Sequence, residues 1–120
     1  MTFKESLVSV GRKNYANFSG RASRSEFWWW YLAVLIIEAL INAITYSDNF
    51  APIGTTISVI ILLALFIPTL AVGVRRLHDT NRSGWNLLWQ LIPLVGFIIV
   101  LVFLVQEGTQ GENRFGSQPA

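Results

Sequence analysis

Three long apolar runs constrain this chain more than any other feature. They cover residues 27–46, 53–74 and 85–105 of the 120 residues, and each is about 20 residues long, enough for a helix to cross the hydrocarbon core of a bilayer. Hydrophobic residues make up 52% of the chain and charged residues only 13%, which is more apolar than a soluble domain requires. The sequence therefore predicts an all-α fold, an integral membrane helical bundle with three transmembrane helices in a single domain, residues 1–120.

The segment before the first run predicts a helix that lies on the membrane surface. Between about residues 3 and 18, apolar side chains recur at helical spacing with Lys4, Arg12 and Lys13 beside them. Gly11 and Asn14 interrupt this stripe, so a loosely ordered polar tail is the alternative interpretation.

The first span has a recognisable start. Ser23 and Glu26 stand three residues apart directly before the apolar run. In this capping box the Ser23 hydroxyl accepts from the backbone N–H of Glu26, while the Glu26 carboxylate reaches back. Residues 28–31, Trp-Trp-Trp-Tyr, are typical of an aromatic belt at headgroup depth.

Two polar residues fall inside the first predicted span. Glu38 lies roughly 13 to 16 Å below its start, close to the bilayer midplane. A carboxylate at that depth costs about 3 kcal/mol on the insertion scale, and Asn42 adds to the cost. We interpret Glu38 and Asn42 as an intramembrane polar lock facing another helix, with Glu38 protonated or hydrogen-bonded. The alternative is a proton or ion path, which would make the protein a small transporter or channel component.

A dense polar stretch, residues 75–85, separates the second and third runs. Arg75 and Arg76 precede Asp79 by four and three residues, a spacing that pairs them along one helical face. We predict a binding site for anionic lipid head groups or another membrane protein. Its candidate residues are Arg21, Arg24, Arg75, Arg76, His78, Asp79 and Arg82. The alternative is that the arginines only mark the cytoplasmic side, with Asp79 neutralising one of them.

The positions of the basic residues predict how the chain is threaded. Four stand close before the first run, three lie in residues 75–85 and one, Arg114, lies in the polar tail, residues 106–120, whereas the turn carrying Asp48 has none. Basic residues favour the cytoplasmic side. We therefore expect a multi-pass protein with a cytoplasmic N-terminus, the Asp48 turn outside and, with three crossings, the tail outside.

The third run is the least regular of the three because it contains Gln90, Pro93 and Gly96. A single kinked span is the primary prediction. A re-entrant first half is the alternative, since non-helical backbone at membrane depth is tolerated only where protein buries it.

Few classes of chemistry fit the polar residues. The chain has no cysteine and one histidine, which excludes thiolate chemistry and leaves too few ligands for a closed metal site. His78 and Asp79 are adjacent in sequence, which does not by itself make a base and its orienting group, and Ser83 is better explained as a helix N-cap. The basic residues are too few and too close to the bilayer for nucleic acid. We therefore predict no enzymatic activity, no cofactor, no metal and no nucleic-acid partner.

Three motifs, in this order and spacing, resemble the bacterial inner-membrane family catalogued as domain of unknown function 805. They are residues 18–28 (FSGRASRSEFW), 75–85 (RRLHDTNRSGW) and 108–116 (GTQGENRFG). The resemblance covers nearly the whole chain and implies a small multi-span protein of the bacterial inner membrane. It implies no established activity, cofactor or catalytic residue. Three crossings would separate the third motif from the other two, whereas a re-entrant third segment would reunite them.

Overall fold

Helices account for most of the computed structural model, which describes residues 1–45 and 51–119. The α-helices are α1 (Phe3–Val8), α2 (Arg24–Thr45), α3 (Ala51–Asp79) and α4 (Val95–Val105), with a π-helical turn at Ser9–Lys13 and a 3-10 helix at Gly84–Leu91. No strand occurs in the described ranges, where Asn113 and Gly116 form one isolated bridge. The predicted all-α class is confirmed. The predicted Asp48 turn lies outside the described residues.

The N-terminal segment is helical over a shorter stretch than predicted. Thr2 caps α1, because its hydroxyl accepts from the Glu5 backbone N–H at 3.2 Å, and the helical turns end at Lys13 rather than near residue 18. Val10 is fully buried, and a Cβ at Gly11 would lie 3.3 Å from the Trp30 ring. The segment is therefore docked against α2.

Two helices are long and apolar enough to cross a membrane, α2 with 22 residues and α3 with 29. As predicted, Ser23 caps the start of α2, because its hydroxyl accepts from the backbone N–H of Glu26 at 3.2 Å. The Glu26 carboxylate does not reach back, because it binds Arg75. At 1.5 Å per residue α3 is about 44 Å long, so its last turn extends beyond its apolar run.

Pro68 lies inside α3 without ending it. Proline has no N–H, which leaves the Ala64 carbonyl without its helical partner. The Tyr15 hydroxyl donates to that carbonyl instead. One residue further on, the Thr69 hydroxyl accepts from the indole N–H of Trp30 at 3.0 Å. The N-terminal segment and α2 thus both support α3 at its proline.

The predicted third span, residues 85–105, is not one helix. The 3-10 helix ends at Leu91 and α4 begins at Val95, and Leu94 between them has φ 62°, a value that L side chains rarely adopt. Gly96 allows the start of α4 to pack closely against the 3-10 helix, because a Cβ there would overlap the Trp89 carbonyl. The result is a helical hairpin, residues 84–105.

Both ends of the 84–105 hairpin lie beside the same end of α3. At its start, a Cβ on Gly84 would lie 2.7 Å from the Val74 side chain. At its end, the Leu104 carbonyl accepts from Arg76 Nε at 3.0 Å. The hairpin therefore starts and ends at the same level along α3. The expectation of three transmembrane helices is not confirmed.

A buried apolar cluster joins these elements. Its fully or nearly fully buried members are Val10, Ala22, Phe27, Trp30, Val72, Leu77, Val100 and Leu104. They come from the N-terminal segment, α2, α3 and α4, so the cluster fixes the positions of the first two motifs and of α4, which leads into the tail.

Candidate functional site: a buried arginine clamp

Three arginines of the predicted site are buried and paired inside the protein. Arg21 and Arg76 both bind Asp79, at 2.9 Å and 2.6 Å, and Arg75 Nη1 donates to Glu26 Oε1 at 2.7 Å. The side chains of these pairs are at most 6% exposed. We call these five residues the arginine clamp.

The clamp uses the predicted spacing only in part. Arg76 and Asp79 pair along the last turn of α3, three residues apart. Arg75 turns to α2 instead and binds Glu26, while its Nε donates to the Asn17 carbonyl at 3.1 Å. The sequence assigned Glu26 to a capping box and gave no signal for this second role.

Backbone carbonyls of the polar tail also accept hydrogen bonds from Arg21 and Arg76. Arg21 donates to the carbonyls of Thr109 and Gly111, and Arg76 donates to that of Gln106. A backbone bond of 2.7 Å from the Thr109 N–H to the Asp79 carbonyl adds to these contacts. Charge-assisted bonds of this kind are about twice as strong as neutral ones. The clamp therefore holds the tail against the end of α3.

Gly108 makes this close approach possible. A Cβ at that position would overlap the carboxylate of Asp79. The glycine is thus required by contact with the clamp and not by its backbone angles. Its place in the third motif is the only sequence signal for this contact.

His78 connects all three motifs. Its ring stacks on Phe115 with centroids 3.9 Å apart and planes within 2°. Its Nδ1 lies 2.9 Å from the Gly20 carbonyl, and its own carbonyl accepts from the side chain of Asn113 at 2.9 Å. In this last turn of α3, beyond the apolar run, burial lowers the pKa of His78; the Gly20 carbonyl opposes that effect and the charge of Arg114 adds to it.

The three motifs therefore meet at one end of the molecule. The three-crossing interpretation placed residues 108–116 across the membrane from the others, and the observed contacts of Arg21 and His78 contradict it. The re-entrant alternative expected the three motifs to be reunited, as they are here. The tail makes these contacts through its carbonyls, because guanidinium groups only donate hydrogen bonds.

The other predicted basic residues, Arg24 and Arg82, stand apart from the clamp. The Arg82 guanidinium lies over the Phe103 ring at 4.2 Å from its centroid. Arg24 is exposed, and its side chain makes no hydrogen bond or ion pair with residues 1–45 or 51–119. It lies at the head of a groove of about 390 Å³, which is lined by Arg24, Ser25, Trp28, Trp29 and Leu32.

The predicted polar lock has no partner helix within the described part of the chain. Glu38 is half-buried and Asn42 is exposed on α2. Neither side chain forms a hydrogen bond or ion pair with residues 1–45 or 51–119.

Two further features bear on possible ligands. A cavity of about 290 Å³ opens between α2, α3 and the hairpin, with Tyr31, Phe66 and Phe97 among its mostly apolar lining residues. Among residues 1–45 and 51–119, no group of three or more histidine, aspartate or glutamate side chains is placed to hold a metal ion.

Comparison with known proteins assigns the chain to one family. The family described as "Protein of unknown function (DUF805)" matches residues 15–117. This chain belongs to that family. The matched residues contain all three motifs and the complete arginine clamp, so the resemblance expected from the motifs is confirmed.

Relatives in Escherichia coli (strain K12) match most of their length. "Inner membrane protein YhaI" is 46% identical over 108 residues, 89% of each chain. "Inner membrane protein YhaH" is 41% identical over 109 residues, 89% of this chain and 90% of the relative. "Uncharacterized protein YiiR" is 33% identical in an alignment that covers 83% of this chain and 84% of the relative. No solved structure gives a significant match. The protein is thus a small member of a membrane protein family of unknown function.

Proposed function

We propose that this protein is a non-enzymatic protein of the bacterial inner membrane that binds anionic phospholipid at the cytoplasmic surface. Arg24 is the residue that binds the lipid phosphate. One observation carries the proposal: the predicted basic cluster divides into three buried arginines that hold the fold together and an exposed Arg24 at the head of an apolar groove.

The proposed threading has two crossings, α2 and α3. All nine Lys and Arg residues stand before residue 25 or after residue 74, in segments that meet at one end of the α2–α3 pair. Such one-sided placement is typical of the cytoplasmic side. With 11 residues, α4 is about 17 Å long, roughly half of the hydrocarbon thickness. The 84–105 hairpin then enters and leaves from the cytoplasm, and both the N-terminal segment and the tail are cytoplasmic.

The clamp arginines are poor candidates for the lipid phosphate. Arg21, Arg75 and Arg76 are buried, and a phosphate would have to displace Asp79 or Glu26 from them. Removal of one partner from a buried ion pair costs about 3 to 5 kcal/mol. In the proposed function the clamp therefore supports the site and does not bind the ligand.

Arg24 and its groove match the order of groups in a phospholipid. Arg24 is the first residue of α2, where the helix dipole favours an anion. Its guanidinium can bind a phosphate through two parallel hydrogen bonds. Trp28 and Leu32 follow at four-residue intervals on the same face, so a lipid chain in the groove would contact apolar side chains below the charged group.

The test measures which lipids the full-length protein retains after purification from membranes containing phosphatidylglycerol and phosphatidylethanolamine. We expect native mass spectrometry to show preferential retention of phosphatidylglycerol. Arg24→Gln should reduce that preference about tenfold, since it removes the charge-assisted hydrogen bonds to the lipid phosphate, which contribute about 1.5 kcal/mol.

The matched control is Arg12→Gln, which removes the same charge from another exposed arginine. It should leave the lipid preference unchanged. Equal losses in the two variants, or no preference for the anionic lipid in the wild type, would overturn the proposal.

A further inference from the structure

Glu38 and Asn42 share one exposed face of α2 with Leu35. Residues four apart differ by about 40° around a helix and those three apart by about 60°, so the three side chains form a continuous strip. Leu35 is 46% exposed, Asn42 is exposed and Glu38 is half-buried. Ala39 and Ala43 are exposed beside this strip and form a small-xxx-small pair that allows close approach of another helix.

The strip lies deeper than the first residue of α4 in the 84–105 hairpin. The hydrogen bond between Trp30 and Thr69 sets α2 against α3, and Glu38 lies eight residues further along α2, about 12 Å deeper. Thr69 is about 11 Å below Arg76 along α3. Leu104 lies beside Arg76, and Val95 at the other end of α4 is only about 14 Å below Leu104. Glu38 is thus about 9 Å deeper than Val95, the first residue of α4, and the exposure of Leu35 and Asn42 beside it shows that the hairpin does not cover the strip.

At this depth only lipid chains or another helix can lie against the strip. Lipid chains offer no hydrogen-bonding group, and an unsatisfied polar group in hydrocarbon is unfavourable. A carboxyl oxygen accepts hydrogen bonds, and a carboxamide both donates and accepts them. Glu38 and Asn42 can therefore satisfy each other across a contact between two helices.

We propose that two copies of this chain associate through the strip Leu35, Glu38 and Asn42 of α2. Copies in one membrane have the same orientation, so a second α2 presents its Glu38 at the same depth. A two-fold axis along the membrane normal brings the carboxyl and carboxamide groups of the two copies together in a self-complementary contact. This inference concerns α2 inside the membrane and does not depend on the proposed lipid site at Arg24.

The absence of cysteine from the chain makes cross-linking a direct test. Leu35→Cys introduces one thiol on the strip. Leu40→Cys is the matched control, since position 40 lies about 140° around the helix from position 35 and is more exposed, 60% against 46%. Oxidation of native membranes should give a disulfide-linked dimer with Leu35→Cys and little with Leu40→Cys.

Two further variants of the Leu35→Cys protein test the polar contact itself. Replacement of both Glu38 and Asn42 by Leu should lower the cross-linked fraction about fivefold or more, while these apolar residues still favour membrane insertion. Glu38→Gln should keep the dimer, because a carboxamide also donates and accepts. Equal cross-linking at positions 35 and 40, or an unchanged dimer in the Leu double variant, would overturn the inference.

Discussion

Arg21 Nε donates to Asp79 Oδ1 at 2.9 Å in a buried pair whose members are 58 residues apart in the chain. Asp79 also accepts from Arg76 at 2.6 Å, so one carboxylate binds two guanidinium groups from different segments. Both arginines then hold carbonyls of the tail. Asp79 is therefore the residue on which the meeting of the three motifs most depends.

Asp79→Asn should destabilise the protein by about 3 to 5 kcal/mol, because it leaves two buried guanidinium groups without their counter-charge. Thermal unfolding of the full-length protein in detergent measures the effect. Glu112→Gln, which neutralises an exposed carboxylate, should change stability by less than about 0.5 kcal/mol. If Asp79→Asn were as mild as this control, the clamp would not be stabilising the fold.

Gly108→Ala should release the tail without unfolding α2 and α3. The added Cβ overlaps the Asp79 carboxylate, and overpacking of this kind costs about 1 to 3 kcal/mol. Hydrogen exchange of residues 107–119 should accelerate about tenfold. Ser117→Ala, at an exposed position of the same tail, serves as the control. Unchanged exchange in Gly108→Ala would show that the tail does not dock at Asp79.

Tail docking should weaken at acidic pH. Burial lowers the pKa of His78 in the folded protein, so the neutral ring favours docking. The contribution of neutral His78 to tail docking is fully present above the pKa of histidine in the unfolded chain, about 6.5. It is lost as pH falls toward the lower pKa of His78 in the folded protein. The protection of residues 107–119, that is, the intrinsic exchange rate of the unfolded chain relative to their exchange rate at the same pH, should therefore fall below about pH 6.5.

His78→Phe provides the control for that profile. It keeps an aromatic ring against Phe115 and removes the only histidine of the chain, so the acid-dependent loss of protection should disappear. Protection that falls with increasing pH in the wild type, or the same acid-dependent loss in His78→Phe, would contradict the role of His78.

Tyr15 and Pro68 should be energetically coupled. Tyr15→Phe removes the donor to the Ala64 carbonyl and should cost about 1 to 2 kcal/mol. Pro68→Ala restores a backbone N–H for that carbonyl, so Tyr15→Phe should cost much less in the Pro68→Ala background. A double-mutant cycle from thermal unfolding measures the coupling. Equal costs of Tyr15→Phe in the two backgrounds would rule it out.

The sequence predicted the elements whose signals are local. Ser23 caps helix α2 as the pattern indicates, and the Ser83 hydroxyl accepts from the Trp85 N–H at 3.3 Å, as expected of an N-cap. Apolar runs of sufficient length predicted α2 and α3. The prediction failed at residues 85–105, where apolar composition fits either one span or a hairpin. The hairpin is distinguished from a single span by the close packing of Gly96 on Trp89 and by the backbone angle of Leu94. Both features depend on tertiary structure.

The candidate site was predictable in its residues but not in their roles. Arg21 and Arg24 stand three positions apart with similar neighbours, yet one is buried against Asp79 and the other is exposed. The partners of Arg21 in the tail are backbone carbonyls, which carry no side-chain signal. Glu26 satisfied a local pattern so well that its long-range bond to Arg75 could not be anticipated.

The side of the membrane on which the C-terminus lies tests the account most directly. Reporters that are active only in the cytoplasm or only outside it are fused after the last residue, and a truncation fused after Thr45 controls for the orientation of α2. A cytoplasmic C-terminus with an external Thr45 fusion is the predicted result, since the clamp holds the tail beside Arg21. An external C-terminus would contradict the account, because residues 108–116 could then not reach Arg21 or His78.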